Sequence, residues 1–268
     1  MFLSYDGTFE GVLSAMAMCL REQRDVWGIL PDSRAMQSLL PTEPVAVEPD
    51  ILARFDRWLS RRFGREAMDL LYHAFLSEQD DIELRMLGFL RTGLRIGGDP
   101  SDLLQDTHVA AVQAAARAVV RQAHAYTGLL RFRLLGGVYV ADFEPDYLVL
   151  PLLTQHFADR MRDRPFLIRD RRRCLAAVSA PDHPWFIVAM EPGDVPETPS
   201  AHDAPEPSSS DCPGPDGSAS FEEIWRSYHA MMAIPQRINP DLQRANMPKK
   251  YWKYLVERPG AGTGRIAL

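Results

Sequence analysis

Residues 191–219, EPGDVPETPSAHDAPEPSSSDCPGPDGSA, limit what this chain can fold into more than any other stretch. They are rich in Pro, Ser, Gly and acids and almost empty of large apolar side chains. Such a segment cannot bury enough apolar surface to offset its ordering entropy, and it reads as a disordered linker. It therefore sets the expected domain plan. Residues 1–190 form the body, 220–258 form a helical C-terminal segment that packs on it, and 259–268 form a flexible tail. The C-terminal segment offers only Phe221, Ile224, Trp225, Tyr228, Met231 and Met232 as large apolar residues early on, too few to fold alone. The linker also explains the chain's acidity. From Glu191 to Glu223 there are nine acids and no Lys or Arg, and subtracting their charge from the net −6 leaves the rest at +3.

Within the body the hydrophobic period changes. Phe2–Tyr5 is a short apolar run, and Asp6 or Thr8 can cap a helix running to Arg21 with Phe9, Val12, Leu13, Met16 and Leu20 on one side. Helical spacing starts again at Asp50, with further helices over 65–77 and 80–94, the last stopped at Gly97-Gly98. His108–Tyr126 is an Ala- and Val-rich helix with Gly128 as its stop. From Leu130 the apolar and basic residues alternate, and Gly136-Gly137 joins Leu130–Leu134 to Val138–Phe143 as a hairpin. A helix over 148–161 and strands at 166–168, 174–178 and 185–190 follow. Helices, then strands, then helices predict an α+β fold: a helical N-terminal half, an antiparallel sheet in the middle and a helical C-terminal segment.

Several chemistries have no motif here. There is no Gly-rich phosphate loop ending in Gly-Lys-Ser/Thr, no Gly-x-Gly-x-x-Gly turn and no triad of cysteines at cluster spacing. Cys19, Cys174 and Cys212 are odd in number and far apart, which argues against a disulfide framework or a zinc knuckle. No apolar run reaches the length of a membrane span, and the N-terminus lacks a basic leader region, so a cytoplasmic protein is expected.

What remains is cationic. Between Arg237 and Arg258 six basic residues stand against two acids, interleaved with Tyr251 and Trp252. Cations neutralise phosphates and aromatic rings can stack on bases, so Arg237, Lys249, Lys250, Tyr251 and Trp252 are candidate nucleic-acid contacts. Pro248 can start a helix, which places Lys249 and Lys250 in its first turn. Cations there oppose the helix dipole by a few tenths of a kcal/mol, and a counter-anion such as phosphate relieves that. A second basic run holds Arg160, Arg162, Arg164, Arg169, Arg171, Arg172 and Arg173, diluted by Asp159, Asp163 and Asp170. On a strand Arg172 faces away from Arg171 and Arg173, so the three share one surface only in a loop. Arg131 and Arg133 share one face of the expected hairpin. For general acid–base work the candidates are Asp6, His124, His156 and Asp170; His156 shares a helix face with Arg160. The bland readings are a helix cap for Asp6 and, for His156, a cap or packed side chain near a helix end with Arg160 paired to an acid.

Five stretches in order carry a resemblance: FLSYDGTFEGVLSAM (2–16), AHAYTGLLRF (123–132), EPDYLVLPLLTQHFADR (144–160), FLIRDRRR (166–173) and INPDLQRANMPKKYWKYLVE (238–257). The chain resembles a bacterial family of DNA metabolism or repair proteins that stand beside a radical-SAM protein, with the same domain fused in some relatives to a uracil-DNA glycosylase-like domain. It departs from that pattern at His124, which Ala125 follows in place of a charged residue. The resemblance implies a DNA-binding accessory protein, with DNA, a radical-SAM protein and a uracil-DNA glycosylase-like protein as partners. It implies no cofactor in this chain, the iron–sulfur cluster and SAM belonging to the partner. Two alternatives stay open: a glycosylase-like or nuclease-like enzyme acting on damaged bases, and a protein–protein adaptor.

Overall fold

The computed structural model describes residues 1–36, 41–190, 221–232, 234 and 239–257. The linker expected at 191–219, the tail expected at 259–268 and Arg237 lie outside the described residues. The chain packs as two compact units. The first holds Met1–Gln122 with Tyr147–Val149, and the second holds Ala123–Asp146 with the chain from Leu150 onward. The division falls inside a long helix and within the stretch expected as a single body.

The first unit is built on β1 (Phe2–Tyr5), α1 (Phe9–Arg21), β2 (Gly28–Pro31), α2 (Asp32–Ala35), β3 (Thr42–Pro44), α3 (Pro49–Phe75), α4 (Ile82–Ile96) and the start of α5 (Thr107–Leu129). Its three strands form a parallel sheet in the order β2-β1-β3, which the sequence reading did not anticipate. Leu3 and Tyr5 on β1 bury against Val12, Leu13 and Met16 of α1, and Phe63, Leu71, Met86 and Phe89 complete the core. Asp6 and Thr8 share the helix start. The Asp6 carboxylate accepts from the Thr8 backbone N–H and hydroxyl at 2.9 and 2.6 Å, and the Thr8 Oγ1 accepts from the Gly11 N–H at 2.9 Å. Gly64, at φ 83° and ψ 171°, breaks α3 into two helical pieces, as the separate helices expected from Asp50 and from 65 require. Tyr5 donates to a buried Glu83 at 2.8 Å. Burial holds the Glu83 carboxyl above the usual carboxylate range despite that bond.

The second unit carries the end of α5, then β4 (Arg133–Leu135), β5 (Val138–Phe143), α6 (Leu150–Arg160), β6 (Phe166–Asp170), β7 (Leu175–Ser179) and β8 (Phe186–Ala189). After these come α7 (Phe221–Met232), α8 (Pro240–Asn246) and a 3₁₀ helix over Lys249–Tyr254. The five strands pair in chain order, β4 to β8. The fold is α+β as expected, but this sheet is mixed: β5 and β6 run parallel, with Asp142 directly opposite Arg169. The reason is the intervening α6, because a helix between two neighbouring strands returns the chain to its starting edge. The hairpin also differs from expectation. Helix α5 continues through Gly128 to Leu129, so Arg131 and Phe132 lie before the strand, and β4 pairs with β5 from Arg133 only. Arg131 and Arg133 therefore do not line one hairpin face. Among the described residues no helix is long and apolar enough to cross a membrane.

Candidate nucleic-acid interface

The loop Glu144-Pro145-Asp146, which follows β5, organises the second unit's polar surface. Pro145 is buried, and its carbonyl accepts from Arg172 Nη1 at 3.5 Å and Arg173 Nη1 at 3.2 Å. The Asp146 carbonyl accepts from Arg173 Nη2 at 2.9 Å. These arginines occupy the turn between β6 and β7. The turn is set by Asp170, whose Oδ1 accepts from the backbone N–H groups of Arg172 and Arg173 at 3.0 and 3.2 Å. Its Oδ2 pairs with Arg173 at 3.0 Å, fully buried. Burial raises the Asp170 carboxyl above its ordinary range, and Arg173 and the two N–H groups offset only part of that. Arg171, Arg172 and Arg173 thus sit in a turn, the one arrangement that lets them share a surface.

The 3₁₀ helix docks on the same loop. Pro248 precedes it at φ −52° and ψ 147° and sets its start. Lys250 pairs with the Asp146 carboxylate and Lys253 with Glu144, and the Tyr254 hydroxyl donates to Glu144 at 2.7 Å. Burial alone raises Glu144, but its hydrogen bonds from Lys253 and Tyr254 outweigh this and hold it below the usual range. The aromatics fix the helix from beneath. Tyr126 of α5 packs edge-on against Phe143 at 4.9 Å and Tyr251 at 5.1 Å, and its hydroxyl donates to the Glu144 carbonyl at 3.2 Å. Burial, with nearby Tyr251 and the carboxylates of Asp146, Asp170 and Glu144, pushes the Tyr126 hydroxyl up. Trp252 Nε1 donates to the Met247 carbonyl at 2.9 Å. Four of the five stretches named above, from α5, the 144–146 loop, the β6–β7 turn and the 3₁₀ helix, meet here.

The candidate phosphate contacts divide by environment. Arg131 is taken up internally: it pairs with Glu257 at 2.6 Å, largely buried, and lies over the Trp225 ring at 5.4 Å. Trp225 Nε1 also donates to Glu257 at 3.2 Å, tying α7 to the end of the 3₁₀ helix. Glu257 is raised by burial and pulled below its ordinary range chiefly by Arg131. Arg172 is 57 % exposed and stands 3.8 Å from Asp146. Lys249 is exposed and makes no ion pair among the described residues; Arg160, the last residue of α6, is the same. Lys250 is half exposed. Tyr251 and Trp252 are half-buried anchors rather than open stacking platforms.

No hydrogen bond or ion pair among the described residues brings the candidate catalytic residues together. Asp6 belongs to the first unit and is committed to Thr8. His124 on α5 and His156 on α6 are exposed, the latter edge-on to Phe157 at 5.0 Å. Asp170 is committed to Arg173 and the turn. No group of three or more His, Cys, Asp or Glu side chains among the described residues is placed to hold a metal ion. The sequence reading named Arg171 only within the second basic run and missed Glu144, Asp146, Lys253 and Tyr254. The signal was a pair of acids flanking a proline, EPD, between two stretches rich in cations.

No curated protein and no solved structure matches the chain. The model of a domain of unknown function, DUF4130, matches residues 80–257, which run from just before α4 to the end of the 3₁₀ helix region. That match takes in about two thirds of the chain's 268 residues, and the chain belongs to the DUF4130 family.

Proposed function

We propose that the protein is a DNA-binding accessory factor in DNA repair or modification, acting with a radical-SAM protein that supplies the chemistry. One observation carries the DNA contact. Five exposed cations, Arg171, Arg172, Lys249, Lys250 and Lys253, come from two separate elements that meet at one loop, which Arg172, Lys250 and Lys253 contact directly. Arg173 and the carboxylates of Asp170, Asp146 and Glu144 sit behind or among them, so the cations outnumber the acids. Lys250 and Lys253 lie over the Tyr251 and Tyr254 rings at 5.2 Å and stay half exposed while paired to the loop. Such a rim contacts phosphates and positions a strand without reading its sequence. The radical-SAM partner, and a uracil-DNA glycosylase-like one, rest on the resemblance of the five stretches.

The test is a salt titration of fluorescently labelled single-stranded, duplex and uracil-containing DNA, with and without the radical-SAM protein. Affinity is expected to fall steeply with salt. The double variant Lys249→Ala and Arg171→Ala should reduce the log–log slope by about 1.4–1.8 units, two phosphate contacts' worth. Neither side chain makes an ion pair among the described residues, so the variant removes charge without removing an internal bridge. Absent or salt-independent binding would overturn the reading.

A further inference from the structure

We propose that Asp146 occupies, in the free protein, the seat that a DNA phosphate takes on binding; this rests on the DNA-binding reading above. Its carboxylate lies between two cations from different elements, with Lys250 at Oδ2 and Arg172 Nη1 3.8 Å from Oδ1. That is the arrangement a bridging phosphate needs: one anion with two oxygens facing two separate donors.

Three buried anion–cation pairs of the second unit look different. Asp142–Arg169, Asp170–Arg173 and Glu257–Arg131 all have nearly buried carboxylates, 3 %, 0 % and 6 % exposed, and removing either partner would strand a buried charge. The Asp146 carboxylate is 45 % exposed and its cations are 50 % and 57 % exposed. Pairs this open contribute little to stability, so exchanging one anion for another costs little. The loop does not depend on the exchange. It is anchored through the Pro145 and Asp146 carbonyls to Arg172 and Arg173, and through buried Pro145. Glu144 is less exchangeable, because the Tyr254 hydroxyl as well as Lys253 holds it. Asp146 therefore sets the threshold for DNA. An incoming strand must displace it, and an isolated monoanion gains nothing over it, whereas a strand brings neighbouring phosphates to the other cations of the rim.

The experiment compares Asp146→Asn, Asp146→Ala and the wild-type full chain in the same salt titration with single-stranded DNA. Asp102→Asn, an exposed acid of the first unit, controls for the change in net charge. Both Asp146 variants should bind about threefold tighter, the effect of one charge several ångströms away in water. Their salt slope should steepen by about 0.7–0.9, because Lys250 or Arg172 then holds a solution anion that binding releases. Asp102→Asn should change neither. Wild-type binding with unchanged or weaker binding by both Asp146 variants overturns this inference and leaves the DNA-binding reading standing. So does equal tightening by Asp102→Asn, which would make the effect one of overall charge. No binding by any of the four proteins overturns both.

Discussion

Asp142→Ala is expected to destabilise the second unit by about 3–5 kcal/mol, measured as a lowered urea midpoint. The Asp142 carboxylate receives Arg169 Nε at 2.6 Å and Nη2 at 2.7 Å, with the two side chains 3 % and 4 % exposed. Arg133 on β4 approaches the same carboxylate at 3.4 Å. Removing the acid leaves the Arg169 guanidinium buried without its bidentate partner, and that desolvated charge is the main cost. Replacing both partners together, as Asp142→Leu with Arg169→Met, should lose much less, because the fully buried charge is then gone and Arg133, at 25 % exposure, reaches water. The pair also bears on register. It sits on the one parallel ladder of this sheet, and a one-residue slip of β6 would turn Arg169 to the opposite face from Asp142. A loss of under about 1 kcal/mol for Asp142→Ala would show the pair to be marginal.

Tyr126→Ala should be comparably severe, about 3–5 kcal/mol, from the cavity left by a buried ring. Tyr126 packs against both Phe143 of β5 and Tyr251 of the 3₁₀ helix, so the loss falls on the seat of the cationic rim. Tyr126→Phe keeps the ring and removes only the bond to the Glu144 carbonyl, and should cost about 0.5–1.5 kcal/mol. If the two variants unfold at the same urea concentration, the ring contacts do not carry the stability argued for them.

Much of the local structure was readable in the chain, and the reasons for the misses are physical. Thr8 with Asp6 before an apolar period, Gly97 after one, and Gly136-Gly137 between alternating runs are local signals, and each marks a real cap or turn; Gly136 and Gly137 have φ of 57° and 86°. The parallel sheet of the first unit was not legible. Strands β2 and β3 are four and three residues long and contain Pro31 and Pro44, and parallel pairing is non-local, so no short window announces it. The parallel β5–β6 ladder was within reach, since an expected helix lay between two expected strands, but the neighbouring hairpin favoured an antiparallel reading. At the site, the cations were conspicuous because they are clustered in sequence. Their partners were not, because Glu144 and Asp146 lie more than a hundred residues from Lys250, Lys253 and Tyr254. That separation is why Lys250 and Arg131 read as solvent-facing cations, while the fold engages one at the surface and the other internally.

The central claim is that the 144–146 loop, the β6–β7 turn and the 3₁₀ helix form one DNA-contacting surface, and amide hydrogen exchange with and without single-stranded DNA tests it most directly. Slowed exchange is predicted in peptides covering 144–147, 170–174 and 248–255 together, with none in peptides around Asp6 or His156. Protection centred on Asp6 or His156, with those three segments unchanged, would contradict it.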